Sequence, residues 1–124
     1  MEENKKIPKH IRELITVAID RMVNECGDNA DKHGFFQSEE EKDLLHHIAL
    51  LTSELGECVE AYRDENFSTT PGEGGIYEEL ADVIIRISSL MSHHRDKCPS
   101  FGKVIIEKMI YNMSRPEGHG RKRN

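Results

Sequence analysis

Apolar residues recur along the chain at helical spacing, in four segments parted by breaker clusters. In the first, from about Pro8 to Cys26, Ile11, Leu14, Ile15, Ala18, Ile19 and Met22 recur at steps of three and four, the period of one helix face. Pro8 is tolerated in a first turn. The run "GDNADKHG" follows, with Gly27 suited to a C-terminal cap. The second helix is expected to begin near Ser38. There "SEEE" reads as a capping box, with Ser38 as cap and Glu41 reaching back. Leu44, Leu45, Ile48, Leu51, Leu55, Val59 and Tyr62 then form one stripe, and the helix runs to about Asp64. "NFSTTPGEGG" is a loop by composition.

The third helix is expected over about Ile76 to His94, with Ile76, Leu80, Val83, Ile84, Ile87, Leu90 and Met91 as its stripe. "DKCPS" ends it, because the residue before Pro99 is pushed out of the helical region. The fourth spans about Ser100 to Met113, with Val104, Ile105, Met109 and Ile110 as its apolar positions. Strand-period alternation of useful length is missing. The pattern therefore predicts an all-α fold, a bundle of about four helices completed by oligomerisation. Residues 1–117 form one all-α domain in this reading, and residues 118–124 a basic, flexible tail.

Composition narrows the function. The chain has 124 residues, 36% hydrophobic and 32% charged, so the core is modest and a homodimer or homotetramer is expected to complete it. A net charge of −6 argues against nucleic acid as the main partner. No apolar run approaches the ~20 residues that cross a bilayer, and the N-terminus lacks a signal-peptide core, so a cytoplasmic protein without a membrane partner is expected. Cys26, Cys58 and Cys98 are three, far apart and without a CxxC pair. They read as ordinary reduced thiols.

The candidate chemistry lies in two acid pairs. Glu54 and Glu57 are three residues apart on the second helix, with Gly56 between them. Glu79 and Asp82 repeat the spacing on the third. An i,i+3 pair shares one face, and at 100° per residue Glu54 and Glu57 fall about 80–160° to one side of the apolar stripe. If the two helices pack antiparallel through their stripes, four carboxylates crowd one site at the interface edge. Such crowding is costly unless a cation cancels it. Oxygen-only ligands select a hard ion such as Mg²⁺, which also binds substrate phosphates. Against this stands a plain alternative: acids at i,i+3 are common on solvated helix faces. A calcium loop at Asp64 is rejected, because Thr69 takes the glycine position and Gly75 the terminal glutamate position. A di-iron bundle is disfavoured because neither Glu57 nor Asp82 is a histidine.

Glu54-x-x-Glu57, a gap of about twenty residues, then Glu79-x-x-Asp82 resembles the signature of the all-α nucleoside triphosphate pyrophosphohydrolases of the MazG-like superfamily. "LLTSELGECVEAYRD", "EELADVIIRI" and "KMIYNMSRPEGHGRK" are similar to segments of that family. The match covers roughly Leu44 to Lys122. It implies a Mg²⁺-dependent enzyme, with Mn²⁺ a substitute, that cuts an NTP or dNTP into the monophosphate and pyrophosphate. The resemblance makes Glu54, Glu57, Glu79 and Asp82 metal ligands; the attacking water is then activated by the metal or, instead, by Glu54 or Glu57 as general base. Lys108, Asn112 and Arg115 become phosphate-binding residues; they also step along one helix face at i, i+4 and i+7. The chain departs from the family in having no Trp, so the base-binding residues are unknown. Tyr62, Phe67, Tyr77, Tyr111 and His46 are candidates. The rival function is a non-catalytic helical module, binding nucleotide or protein through a solvated acidic face.

Overall fold

The computed structural model describes residues 7–38 and 43–116. Its elements are four α-helices: α1 (Lys9–Lys32), α2 (Leu44–Arg63), α3 (Ile76–Ser92) and α4 (Phe101–Met113). No strand occurs among the described residues, so the fold is all-helical, as the periodicity predicts. The chain divides into two compact units. Residues 1–21 and 100–124 form one, and residues 22–99 the other. The basic tail at 118–124 lies outside the described residues.

In the first unit, Asp20 on α1 fastens the start of α4. Ser100 is the N-cap: its hydroxyl accepts from the Lys103 amide at 3.1 Å and donates to Asp20 Oδ2 at 2.7 Å. The Gly102 amide donates to Asp20 Oδ1 at 2.9 Å. A carboxylate there answers both the unpaired amides and the positive end of the helix. Gly102 is required by the close approach, since a Cβ would stand 2.5 Å from the Thr16 carbonyl. Ile106 is the buried large residue of α4, while Val104 and Met109 of the expected stripe are exposed.

In the second unit, α1 does not stop at Gly27. It runs to Lys32, and Gly27 is buried inside it. The reason is packing: a Cβ on Gly27 would lie 2.0 Å from Ser92 Oγ, so glycine lets α1 and α3 meet there. The helix ends instead at Gly34, which is left-handed at φ 81°. The Phe35 amide donates to Ala30 O at 3.0 Å and the Gly34 amide to Asp31 O at 3.1 Å, the paired bonds of a glycine-terminated helix.

The start of α2 also differs from the expected box. Ser38 is not helical, and Glu41 lies outside the described residues. Asp43 caps instead, accepting from the His46 amide at 3.3 Å, because the shorter acid sits directly before the first helical turn.

The buried sides of the helices carry small and polar residues. Val23, Gly27 and Ala30 are buried on α1, Cys58 and Ala61 on α2, and Ser88, Ser89, Leu90 and Ser92 on α3. The serines are satisfied locally: Ser88 Oγ donates to Ile84 O at 2.9 Å, and Ser89 Oγ lies 3.1 Å from Ile85 O and 3.2 Å from Cys26 O. The expected α2 stripe is turned outward: Leu44, Leu45, Ile48, Leu55, Val59 and Tyr62 are exposed. On α3 Leu80 and Ile84 are exposed too. The inward side of α2 runs through His47, Leu51, Glu54, Cys58 and Ala61. That set has equally good helical spacing, and its small residues permit a closer approach of α3 than leucines do.

Candidate functional site

The outward turn of the leucine stripe brings Glu54 inward, while Glu57 stays exposed. Glu54 sits on the seam side of α2, with its side chain only 14% exposed. The neighbouring loop fixes the phase of α3. Asn66 Nδ2 donates to Glu73 O at 2.8 Å, and the Ile76 amide donates to Asn66 O at 2.9 Å. Glu78 accepts from the Gly72 and Gly74 amides at 2.5 and 2.7 Å. Gly75 has no room for a side chain, because a Cβ would stand 2.2 Å from the Ser68 carbonyl. Glu78 is thus committed to the loop, and the next residue, Glu79, is left to face α2.

One carboxylate oxygen each from Glu54, Glu57 and Glu79 lies within 4.8 Å of the others. The structure brings these three predicted residues together. Asp82 stands outside that trio, yet near enough that its charge acts on both Glu54 and Glu79. Burial pushes the Glu79 carboxyl above its ordinary range, and repulsion from Glu57, Asp82, Glu54 and Glu78 adds to it. Burial raises Glu54 as well, with Glu57 and Asp82 adding to the rise. Arg86 opposes this: its Nε donates to Glu54 Oε1 at 2.9 Å. The Cys58 thiol beside the acids is raised by burial and by Glu79, Glu54 and Glu57.

The donor set suits a hard divalent cation. It consists of oxygen atoms from two helices, close-set and mutually repelling, with no imidazole or thiolate among them. Glu54, Glu57 and Glu79 are the residues that would hold such an ion, with Asp82 at their edge.

Beside the acids, the same unit holds a cavity of about 190 Å³. Asp82 and Arg86 line the side toward the acids. Phe35, Phe36, His47, Leu50 and Ile85 supply apolar and aromatic wall, and Asn29, Cys26 and Ser89 supply polar atoms. Phe36 is 6% exposed and stacks between two imidazoles, His47 at 4.5 Å and His93 at 3.9 Å between ring centroids. Its φ of 62° places it in the left-handed region, a conformation that a large side chain adopts only when its surroundings hold it. His93 is held in turn, with Nδ1 2.9 Å from Ser89 O and Nε2 2.8 Å from Asp31 Oδ1.

None of the five aromatic candidates for the base lines this cavity. Tyr62 and Phe67 pack edge-on at 6.1 Å, both half exposed or more, and His46 packs edge-on against His47. Sequence reasoning missed Phe35, Phe36 and His47. The available signal was an aromatic pair directly after Gly34, in a segment otherwise polar.

Lys108, Asn112 and Arg115 belong to the other unit. Tyr111 gathers them: Lys108 Nζ lies 4.7 Å and Arg115 Cζ 5.4 Å from its ring centroid. Arg115 Nη1 donates to Asn112 Oδ1 at 3.2 Å. The three share one face of α4 and its end, as their spacing predicts. No protein-family model, no curated protein and no solved structure matches the chain.

Proposed function

We propose that the chain is a Mg²⁺-dependent nucleoside triphosphate pyrophosphohydrolase, converting an NTP or dNTP to the monophosphate and pyrophosphate. The observation that carries the reading is the meeting of Glu54, Glu57 and Glu79 across the α2–α3 seam. Carboxylates held this close are unfavourable unless a positive charge joins them, and burial together with this crowding raises Glu54 and Glu79. The pairing of Glu54-x-x-Glu57 with Glu79-x-x-Asp82 and its resemblance to the MazG-like superfamily supply the substrate class. A divalent ion there would supply positive charge against the polyphosphate and would make water easier to deprotonate.

The chain's own residues do the rest. Glu54, Glu57 and Glu79, with Asp82 at their edge, would hold the ion. Either Glu54 or Glu57 accepts the proton of the attacking water, a role that calls for a carboxylate within hydrogen-bond reach of that water. The family resemblance, rather than their place in the structure, assigns Lys108, Asn112 and Arg115 to phosphate oxygens, through charge-assisted hydrogen bonds. The cavity lined by Phe35, Phe36 and His47 takes the nucleoside end, because aromatic walls suit a flat base.

A homodimer or homotetramer belongs to the same reading. Leu55, Val59 and Tyr62 on α2 and Leu80 and Ile84 on α3 are all at least 42% exposed. Apolar residues repeated at helical spacing on two successive helices are a face for further helices, and a second copy supplies them. No helix among the described residues is long and apolar enough to cross a membrane, and the reading calls for no membrane or nucleic-acid partner. A cytoplasmic location fits a nucleotide substrate.

The reading is tested by measuring pyrophosphate released from a panel of NTPs and dNTPs, with and without Mg²⁺. Metal-dependent release from at least one nucleotide is expected. A chain that binds nucleotide and releases nothing would instead be the non-catalytic helical module.

A further inference from the structure

One residue at the site is absent from the ligand and phosphate sets above. Arg86 lies one turn beyond Asp82 on α3, and it reaches across the seam to α2. Its Nε donates to Glu54 Oε1 at 2.9 Å, while Glu54 is also one of the three acids whose oxygens converge. Glu54 is nearly enclosed at 14% exposure, whereas the Arg86 side chain is 51% exposed and borders the cavity. The carboxylate is thus fixed in place and the guanidinium has open space beside it.

We propose that Arg86 is the resident counter-ion of the acid cluster and competes with a divalent cation for the Glu54 carboxylate. The inference rests on the metal reading given above. Three converging carboxylates need positive charge in the metal-free protein as much as in the loaded one. The guanidinium supplies one charge, to one of the three acids. A divalent ion supplies two charges to all of them, so the exchange runs in its favour. A divalent ion among the three acids and a guanidinium on the same Glu54 carboxylate repel at close range, so each weakens the hold of the other. Arg86 is therefore a positioning residue: it holds Glu54 ready, and its competition sets the concentration at which the ion enters. The two bindings are coupled through one carboxylate, and coupling of this kind is reciprocal.

The test uses the full chain, freed of metal, with Mn²⁺ as the probe and no nucleotide present. Mn²⁺ binding is measured by titration calorimetry for the wild type, Arg86→Gln and Arg86→Lys. The expected result is that Arg86→Gln binds Mn²⁺ more tightly, on the order of tenfold, as typical coupling free energies imply. Arg86→Lys keeps a competing charge, so its affinity should stay near the wild-type value. Thermal melts run beside the titrations. Without metal, Arg86→Gln should melt lower than the wild type, and saturating Mn²⁺ should raise it by the larger increment. A purely structural role for Arg86 predicts the reverse, a variant that binds Mn²⁺ less well. Equal or weaker binding by Arg86→Gln overturns the proposal and leaves the metal site standing. No Mn²⁺ binding by any of the three proteins removes the metal site itself, and the role of Arg86 with it.

Discussion

Gly27 of α1 and Ser92 of α3 touch so closely that a methyl group added to the glycine would lie 2.0 Å from Ser92 Oγ and 2.4 Å from its Cβ. This contact holds the end of α3 against α1, beside the serines that replace larger core residues. Gly27→Ala would normally favour a helix. Here it is expected to lower stability by about 1–3 kcal/mol, the usual cost of overpacking. Adding Ser92→Gly should recover most of that loss, whereas Ser92→Ala should not, because the Cβ remains. Denaturant unfolding of the two double variants checks it, and equal rescue by both would contradict the contact.

The same contact explains why part of the fold was legible and part was not. The ends of α3 and α4 were readable, because Pro99, Ser100 and the glycine-rich loop act on the local backbone. The continuation of α1 was not, because Gly27 reads as a stop unless a partner helix is known to need the space. The phase of α2 differs from the one its hydrophobic pattern predicts for a related reason. Two stripes with helical spacing coexist, one through Leu44, Ile48, Leu55 and Val59 and one through Leu51, Glu54, Cys58 and Ala61. Hydrophobicity favours the first, and close packing against α3 selects the second. At the site, the i,i+3 acid pairs were visible in sequence because ligand geometry on a helix is local. Phe36 and His47 were not, since they meet only after the chain turns at Gly34.

The outward leucine face predicts association. Ile84 is 52% and Val59 50% exposed in the single chain, so charges at these positions should cost a monomer little, within about 0.5 kcal/mol each. In an oligomer they would fall in an apolar interface. Val59→Asp with Ile84→Asp should therefore leave helix content intact and shift the sedimentation profile from oligomer to monomer. A wild-type chain that sediments as a monomer at micromolar concentration would contradict the assignment of this face.

The acids predict a pH dependence with a definite sign. Glu54 and Glu79 have carboxyls raised in the folded chain above their ordinary values. The folded protein then binds more protons than the unfolded one through this range, so stability falls as pH rises. The penalty is absent below the ordinary carboxylate range and complete once pH exceeds the raised values. Metal-free melting temperature should decline across that window, and Glu79→Gln should flatten the decline. Saturating Mg²⁺ should raise the melting temperature at neutral pH by mass action, and less so in Glu79→Gln. A wild-type profile that rises with pH through this range would contradict the crowding of these acids.

Lys108 is placed on α4 with its ammonium over the Tyr111 ring. Lys108→Ala removes a phosphate-binding charge in the proposed enzyme without touching the acids. It should raise KM for the nucleotide about tenfold, in keeping with the loss of one charge-assisted hydrogen bond, and leave Mn²⁺ affinity unchanged. Steady-state kinetics beside metal titration separates the two effects. An unchanged KM would remove Lys108 from the substrate-binding set.

The central claim is that the acids gathered from α2 and α3 hydrolyse a nucleoside triphosphate, and Glu57→Gln tests it most directly. The substitution keeps the side-chain volume and removes one charge from a residue whose oxygen lies within 4.8 Å of those of Glu54 and Glu79. The measurement is Mg²⁺-dependent pyrophosphate release by wild type and variant on the best substrate of the nucleotide panel, with helix content compared by circular dichroism. The expected outcome is an unchanged helical spectrum and a rate lowered at least ~100-fold, more than the loss of a supporting residue around a metal site. Pyrophosphate release near the wild-type rate from a folded Glu57→Gln would contradict it.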